Sequence, residues 1–335
     1  MDAGTTSSKL SVLAIDRGEH RATKRRRKLD ERNDRLDYLV YLGARVAIMF
    51  VEMLPVRGAC ALARAIGSAI YRFDRRHREI AIDQLRGSFP DWTEAKIRRT
   101  AKASIQNMVC MGLELLLTPR HIRPDTWRKH IRLRNMEDVV ATLIARDRPM
   151  VLVTGHFGNW ELAGYFSAAI GLAFSSVARR IDNPYINDLI FGVRERAGQR
   201  MIYKQGAAAQ VARAFDNNEA VSMVCDQDAG ARGLFVDYFG RPASTFKSIG
   251  LLAMQYEAPI AVICCRRLDG RFNFEIFNQR TIKPSEWAGK DDPLKWITQE
   301  YTTALETAVR TQPDQYFWVH RRWKHEPKKA KKKDA

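Results

Sequence analysis

The spacing of apolar residues changes part-way along the chain. Between residues 36 and 117, apolar positions recur at intervals of three and four, a period typical of helices that bury one face. Beyond residue 149, short apolar runs at 150–154, 220–224 and 259–264 alternate with segments of helical period. Runs of this length predict strands that are buried on both faces. Strands alternating with helices predict an α/β sheet domain that follows a helical N-terminal region.

A further strand and five helices complete the predicted α/β domain. Phe272, Phe274 and Ile276 alternate with polar residues, and this pattern predicts an exposed strand over 271–277. The predicted helices cover residues 160–170, 186–197, 207–217, 248–256 and 293–311.

These patterns divide the chain into four segments. Residues 1–33 are polar and charged without an apolar period, so we expect a basic, disordered N-terminal segment. We expect a helical, membrane-associated region at 34–125 and the α/β domain at 126–324. A Lys-rich tail follows at 325–335.

The apolar stretch at 36–55 is long enough to cross a bilayer. It contains Asp37, Arg45 and Glu52, however, and a charged side chain in the middle of a span is costly in hydrocarbon. We therefore predict an amphipathic helix that lies on or partly in the membrane surface, with anionic lipid held by the basic residues upstream. A single spanning helix and a helix buried in the core are the alternatives.

The charge of the chain is concentrated near its ends. Lys and Arg number 56 against 38 acidic residues, and the formal net charge is +18. Residues 17–28 hold seven basic residues and one acid, and residues 321–335 hold eight basic residues and two acids. Such ends attract anionic partners, which include nucleic acid, acidic lipid and acidic proteins. We see no zinc-finger or RNA-recognition pattern, so we do not expect a nucleic-acid partner.

The cysteines do not indicate a metal site or a disulfide framework. Their number is odd, and no pair has C-x-x-C spacing. This usage is typical of a protein in a reducing cytoplasm. The five are Cys60, Cys110, Cys225, Cys264 and Cys265.

The candidate chemistry lies at residues 155–161, whose sequence is GHFGNWE. His156 follows a predicted buried strand and precedes a helix that Asn159 can cap. Open α/β sheets bind ligands at the carboxyl ends of their strands, and Gly158 allows a substrate to approach the backbone closely. Glu161 lies in the first helical turn, from which its carboxylate can accept a hydrogen bond from the imidazole and orient it.

This arrangement predicts a general base with an orienting partner. No Ser or Cys in the segment can serve as a nucleophile, so the base would deprotonate a substrate hydroxyl that attacks an acyl carbonyl directly. Turn amides or a nearby Arg would stabilise the oxyanion. The spacing of His156 and Glu161 alone fits equally well a structural histidine followed by a capping carboxylate.

Several segments together resemble the bacterial lipid A biosynthesis acyltransferases, the lauroyl and myristoyl transferases of the lysophospholipid acyltransferase superfamily. Besides GHFGNWE, similar blocks follow in the same order over roughly 36–324. They are residues 178–183 (ARRIDN), Arg194 and Gly198, residues 226–228 (DQD) with 233–245 (GLFVDYFGRPAST), residues 258–260 (API) with Arg266, and residues 315–324 (QYFWVHRRWK).

The resemblance implies a fold, a reaction and partners. The fold would be α/β with a mixed central sheet flanked by helices, behind the N-terminal membrane-binding region. A fatty acyl chain would pass from an acyl carrier protein thioester to a hydroxyl of a lipid A precursor or related glycolipid, with no cofactor and no metal. His156 would be the general base and Glu161 its partner. The enzyme would act at the cytoplasmic face of the bacterial inner membrane, on a surface containing anionic lipid.

The resemblance also implies substrate-binding residues. Arg179 would hold a phosphate, because a guanidinium matches phosphate oxygens, although a surface arginine is the alternative. Asp226 and Gln227 would line the cleft or support it from behind. Phe239, with Phe235 and Tyr238, would line an acyl channel or simply belong to the core. The substrate-binding residues implied in this way are Gly158, Asn159, Arg179, Arg194, Asp226, Gln227 and Phe239.

Alternatives to this function remain within and outside the family. The acceptor could be another glycolipid, including a mannosylated phosphoinositide, or a lysophospholipid. A basic nucleic-acid-binding protein and a non-catalytic membrane protein are alternatives of a different class. The sequence does not predict the acyl length.

Overall fold

The computed structural model describes residues 34–172, 174–203 and 206–327. The expected disordered segment at 1–33, and the expected tail beyond residue 327, lie outside these residues.

Four helices form the N-terminal region. The longest helix begins at Glu94 and is capped by Thr93, whose side-chain oxygen accepts from the Lys96 amide at 3.4 Å. It continues past Pro119 to His121, beyond residue 117, where the stretch of helical period in the sequence ends. Leu117 and Thr118 are buried and hold the last turn in place. The four helices are α1 (Asp34–Met53), α2 (Val56–Phe73), α3 (Arg75–Ser88) and α4 (Glu94–His121).

The central sheet has seven strands, in the order β1-β9-β8-β2-β5-β3-β4. β9 runs antiparallel to β8 and parallel to β1, while β2, β3, β4, β5 and β8 pair in parallel, so the predicted mixed sheet is confirmed. The strands are β1 (Ile131–Arg134), β2 (Met150–Thr154), β3 (Phe174–Ala178), β4 (Arg200–Tyr203), β5 (Ala220–Val224), β8 (Ile260–Arg267) and β9 (Phe274–Ile282). A separate hairpin is formed by β6 (Leu234–Tyr238) and β7 (Arg241–Thr245).

Helices cover both faces of the sheet. Apolar residues of β2 alternate between the two cores, with Val151 and Val153 in one and Met150 and Leu152 in the other. This double burial explains why the strand reads as a continuous apolar run. The helices are α5 (Glu137–Ala145), α6 (Trp160–Ala169), α7 (Pro184–Arg196), α8 (Ala207–Asp216), α9 (Ser248–Gln255), α10 (Pro284–Trp287) and α11 (Pro293–Thr311).

The prediction of an exposed strand over 271–277 is wrong. The strand begins later, at Phe274, and lies between two neighbours inside the sheet. Phe272, Phe274 and Ile276 are buried in one core, and Phe277 is buried in the other. The alternation therefore marks the two sides of a doubly covered sheet rather than a solvent-facing side.

Helix α1 leaves much of its apolar surface exposed. It carries nine of the sixteen exposed large apolar side chains among the described residues, including Leu39 and Phe50. Its other side is held by polar contacts, since the Asn183 side chain donates to the Asp37 carbonyl at 3.0 Å. Within the described part of the chain, no helix combines the length and hydropathy needed to cross a membrane.

Candidate active site

The site lies where β2 and β5 end side by side. Thr154 pairs with Val224 in the sheet register. His156 and Asp226 each follow two residues beyond these paired positions, and the Cys225 amide donates to the Thr154 carbonyl at 2.9 Å, which extends the pairing past the strand ends. The parallel register therefore brings an imidazole and a carboxylate to the same edge of the sheet.

Asp226 holds His156 at two points. The Nδ1 atom of His156 lies 2.7 Å from Oδ1 of Asp226, and the His156 backbone amide donates to Oδ2 at 2.7 Å. Asp226 is buried, whereas the side chain of His156 is 16% exposed. With Nδ1–H donating to the carboxylate, Nε2 is the nitrogen that can accept a proton.

Both members of this pair have shifted pKa values. Burial, the largest single influence, disfavours the imidazolium. The charge and hydrogen bond of the Asp226 carboxylate, with the charge of Glu161, together outweigh it, so the pKa of His156 lies above its usual value. Burial likewise opposes the charge of Asp226, yet the imidazole, its hydrogen bonds and Arg322 lower the pKa of the carboxyl overall. Asp226 is thus ionised at neutral pH and favours a protonated partner.

Glu161 does not make the hydrogen bond to His156 that we expected. Its Oε1 accepts from Arg194 Nη2 at 2.7 Å and from the Trp160 indole at 3.1 Å. Helix α6 begins at Trp160, so its first turn directs the Glu161 carboxylate toward α7, where Arg194 lies, while Asp226 occupies the imidazole Nδ1. Glu161 is still close enough to raise the pKa of His156 through its charge.

Gly158 and Asn159 shape the turn and face the protein interior. Gly158 has a φ of 62°, and a side chain there would collide with the Cys265 carbonyl. Asn159 is fully buried; its side-chain oxygen accepts from the Leu162 amide at 2.9 Å, and its nitrogen donates to Glu114 at 2.8 Å. Neither residue is placed to touch a substrate, because the protein itself fills the space that we expected a substrate to occupy.

Three amides of the turn are already used as donors. The amide of His156 donates to Asp226, that of Gly158 to the Gln315 carbonyl, and that of Asn159 to the Cys265 carbonyl. These three amides cannot at the same time stabilise an oxyanion. Arg194, which donates to Glu161 at 2.7 Å, is a cationic alternative among the donors that we expected.

The open side of His156 is bordered by one amide and two aromatic rings. Gln227 is exposed, and its Nε2 lies 3.4 Å from His156 Nε2. The ring centroid of Trp160 is 4.7 Å from that of the imidazole, and the Phe317 centroid is 5.6 Å away. A substrate hydroxyl can reach Nε2 only by displacing the weak contact with Gln227.

The match to a known family shows which class of reaction the chain carries out. Residues 27–325 match the family described as bacterial lipid A biosynthesis acyltransferase. The chain belongs to this family. The resemblance in the sequence is thereby confirmed, and the protein is an acyltransferase that acts on a lipid A or glycolipid precursor.

The chain is similar to curated acyltransferases, and the similarity extends over most of the length of each. The lipid A biosynthesis lauroyltransferase of Escherichia coli (strain K12) is 27% identical over 301 residues, covering 87% of this chain and 92% of that protein. The lipid A biosynthesis palmitoleoyltransferase of the same strain is 26% identical over 299 residues, with the same coverage. A phosphatidylinositol mannoside acyltransferase of Mycobacterium tuberculosis (strain ATCC 25618 / H37Rv) is 22% identical over 217 residues, covering 59% of this chain and 66% of that protein.

Two further residues expected at the acyltransferase site lie in contrasting surroundings. Arg179 follows β3 and is 70% exposed, with Asp182 as an ion-pair partner at 3.8 Å. Phe239 is buried, and its ring packs edge-on against Phe89 and Trp318. Phe239 is therefore part of the core, because the aromatic residues around it leave no room for an acyl chain.

An apolar cavity of about 680 Å³ lies beside the acyltransferase site. Phe317 lines it, and the same ring packs against His156. The remaining walls come from α2, the start of α3, α4 and the C-terminal segment. They are Ala69, Ile70, Phe73, Asp74, His77, Ile105, Met108 and Val319.

The contact between Asp226 and His156 is the part of the site that sequence reasoning missed. A signal was present, since both residues stand two positions after a buried apolar run of five. Using that signal required knowing that β2 and β5 are neighbours in register. Glu161 is the partner that the family resemblance implies, and it lies only five residues after His156 in the sequence.

Proposed function

We propose that this protein transfers a fatty acyl chain from an acyl carrier protein thioester to a hydroxyl of a lipid A precursor. His156 Nε2 removes the hydroxyl proton, and the alkoxide oxygen forms a bond to the thioester carbonyl carbon. The tetrahedral intermediate then collapses as the C–S bond breaks, and the imidazolium returns the proton to the departing thiolate. No covalent enzyme intermediate is needed.

The observation that carries this proposal is the hydrogen bond of 2.7 Å between His156 Nδ1 and Asp226. It fixes the tautomer that leaves Nε2 unprotonated and stabilises the imidazolium that forms when Nε2 takes the proton. In this scheme Asp226 takes the orienting role that we first expected of Glu161.

Glu161 and Arg194 supply the electrostatic part of the proposal. Their ion pair of 2.7 Å is mostly buried, with 17% and 13% of the respective side chains exposed. Glu161 fixes the Arg194 guanidinium by accepting its hydrogen bond, and the charge of Glu161 reaches His156. From this position Arg194 would stabilise negative charge that develops on the thioester oxygen. Exposed Arg179 is suited to bind a phosphate of the acceptor, since no buried partner restrains it.

The apolar cavity is the proposed site for the fatty acyl chain. Its wall residue Phe317 also packs against His156, so a chain within the cavity would hold its carbonyl near the base. The polar side chains among its lining residues are those of Asp74 and His77, which are 39% and 47% exposed, respectively. This cavity replaces the channel that we expected around Phe239.

The exposed face of α1 is the proposed membrane-binding surface, at the cytoplasmic face of the inner membrane. Leu39, Val46 and Phe50 expose apolar area that has no partner in the described structure. An amphipathic helix of this kind binds at the level of the lipid headgroups, and anionic lipid strengthens the binding when basic residues lie close by. The basic residues at 17–28 precede this helix in the sequence.

Substitution of the base tests the proposal. His156→Ala should lower acyl transfer by about 10³-fold, because general-base catalysis contributes about 10²–10⁴-fold. The assay supplies acyl carrier protein thioester and a lipid A precursor and follows the ester product by mass spectrometry. His121→Ala, in the last turn of α4, is the control that should retain transfer. Transfer at the wild-type rate by His156→Ala would refute the proposal.

The acceptor is tested with the same enzyme. A lipid A precursor and a mannosylated phosphoinositide are offered separately at equal concentration, because relatives that act on each class are similar to this chain. We expect a higher kcat/KM for the lipid A precursor, since those relatives match over more of the chain.

A further inference from the structure

An ion pair between Glu114 and Arg267 lies inside the protein behind the catalytic turn. Arg267 donates to Glu114 through two nitrogens, Nε to Oε1 at 2.6 Å and Nη2 to Oε2 at 2.7 Å. The Glu114 side chain is 1% exposed and that of Arg267 is 11% exposed. Burial opposes the charge of Arg267, but the carboxylate outweighs this effect, and the pKa of the guanidinium is raised. The pair joins α4 of the N-terminal region to the end of β8.

The pair is connected to the catalytic turn by two routes. In the first, Glu114 Oε2 accepts from the Asn159 side chain at 2.8 Å, and Asn159 caps the first turn of α6 through the Leu162 amide. This contact fixes the end of the turn that begins at His156.

The second route runs through Gln315. Its side chain and the backbone of Arg267 exchange two hydrogen bonds of 2.8 Å each. The Gln315 carbonyl accepts from the Gly158 amide at 2.9 Å and from the Asn107 side chain at 3.1 Å. Asn107 in turn accepts from Arg267 Nη1 at 2.5 Å, so the network closes on itself around the turn.

The energetics of buried ion pairs favour a positioning role. Removing two charges from water costs several kcal/mol per ion, and well-packed apolar residues often stabilise a fold equally well. Stability alone therefore does not require charges at Glu114 and Arg267. What apolar residues cannot supply is the acceptor for Asn159, together with a fixed donor for Asn107.

We propose that Glu114 and Arg267 are positioning residues that hold the turn 156–159 so that His156 meets Asp226 and the substrate hydroxyl. The part of this inference that concerns catalysis rests on the proposed function. The two side chains do not reach the reacting atoms; they act through Asn159, Gln315 and the backbone of the turn.

The test replaces the whole pair, which avoids leaving one buried charge without its partner. The double variant Glu114→Met/Arg267→Met should fold, as judged by thermal unfolding and circular dichroism. The matched control is Arg86→Met/Glu94→Met, which removes an exposed ion pair of 3.0 Å that involves the first residue of the same helix. If the double variant does not fold, Glu114→Asp is used, because it keeps the charge while withdrawing the carboxylate from Asn159.

Two readouts separate positioning from stability and from the proposed function. With acyl carrier protein thioester and a lipid A precursor, kcat of the folded variant should fall by about 10²-fold with KM within a few fold, as expected for a misplacement of about 1 Å. NMR of labelled histidines should show the pKa of His156 moving down toward its usual value, since a loosened turn weakens the contact with Asp226.

Each combination of results is decisive. A folded variant with wild-type kcat and an unchanged pKa of His156 would overturn the inference, as would equal changes in the Arg86→Met/Glu94→Met control. A third outcome is that the double variant lowers the pKa of His156 while the wild-type protein shows no acyl transfer. That result would support the positioning of the turn and refute the proposed function.

Discussion

The end of β2 and the surface of α1 differ in which side chains they bury and which they expose. At the strand end, buried charged and polar side chains have partners: Asp226 binds His156, and Glu114 binds Arg267 and Asn159. On α1, nine large apolar side chains are exposed to solvent in the described structure. The first region is a closed network that fixes geometry, and the second is a surface that a partner can cover.

The difference supports the proposal that the strand end serves catalysis and that the surface of α1 serves membrane binding. General-base catalysis needs atoms held within a few tenths of an ångström, which partnered buried groups provide. Binding to a fluid lipid surface needs apolar area and tolerates imprecise placement. Substitutions should therefore affect the turnover number in the first region and affinity for the membrane in the second.

The largest effect is expected at Asp226. Asp226→Asn should lower kcat by about 10³-fold, because the neutral amide no longer stabilises the imidazolium and can hold the ring in the wrong tautomer. Vesicle binding should be unchanged. Steady-state kinetics and vesicle sedimentation of the same preparation check both expectations. Substantial activity in Asp226→Asn would mean that the 2.7 Å contact with His156 is only structural.

The ion pair of Glu161 and Arg194 should give the next largest effect. Glu161→Gln and Arg194→Gln should each lower kcat by about 10²-fold, the usual cost of losing one group that stabilises an oxyanion. The double variant should be little worse than either single variant, because the two side chains act as a unit. Losses that simply multiply in the double variant would contradict this interpretation.

A smaller effect is expected on the exposed face of α1. Leu39→Glu/Phe50→Glu should weaken binding to vesicles of mixed neutral and anionic lipid by about tenfold or more, since two apolar side chains are lost from the interface. The kcat in detergent micelles should be retained. The control is Ile144→Glu, which places a carboxylate at a 68% exposed apolar position on α5. Equal weakening by the control would argue against α1 as the membrane-binding surface.

The smallest effect should come from the apolar cavity beside His156. Met108→Trp narrows it and should shift the preferred donor toward shorter acyl chains, with a change of about fourfold in kcat/KM for each methylene. The competition assay uses acyl carrier protein thioesters of several lengths, and a second series varies the acyl chains of the acceptor. A shift confined to the acceptor series would assign the cavity to the acceptor. Leu251→Trp, on the exposed side of α9, is the control.

Elements of the fold that bury a continuous apolar run were predictable from the sequence. β2 and β5 have the predicted limits, 150–154 and 220–224, because strands covered on both faces leave an uninterrupted signal. The short strands β1, β3 and β4 were missed, since four or five residues of mixed polarity carry too little periodicity. The order of the strands in the sheet depends on contacts between distant parts of the chain, so no short stretch of sequence indicates it.

The candidate site was only partly predictable for the same reason. His156 stood out because it follows a buried strand and precedes a helix cap. The Asp226 contact depends on β5 lying next to β2, although 70 residues separate the two side chains in the sequence. Asn159 and Gly158 were expected to face a substrate, but their inward orientation depends on Glu114 and Cys265, which come from distant elements.

The pH dependence of kcat/KM in the wild type, Asp226→Asn and Glu161→Gln tests the central claim most directly. The base must be neutral to act, so activity falls as the pH drops through the pKa of His156. That pKa is raised above 6.5 in the wild type, because the charge and hydrogen bond of Asp226, with a smaller contribution from the charge of Glu161, together outweigh burial. In Asp226→Asn burial remains without the carboxylate, and the acidic limb should move below pH 6.5, while Glu161→Gln should move it only slightly. An acidic limb that stays in place in Asp226→Asn, or that moves further in Glu161→Gln, would contradict the account.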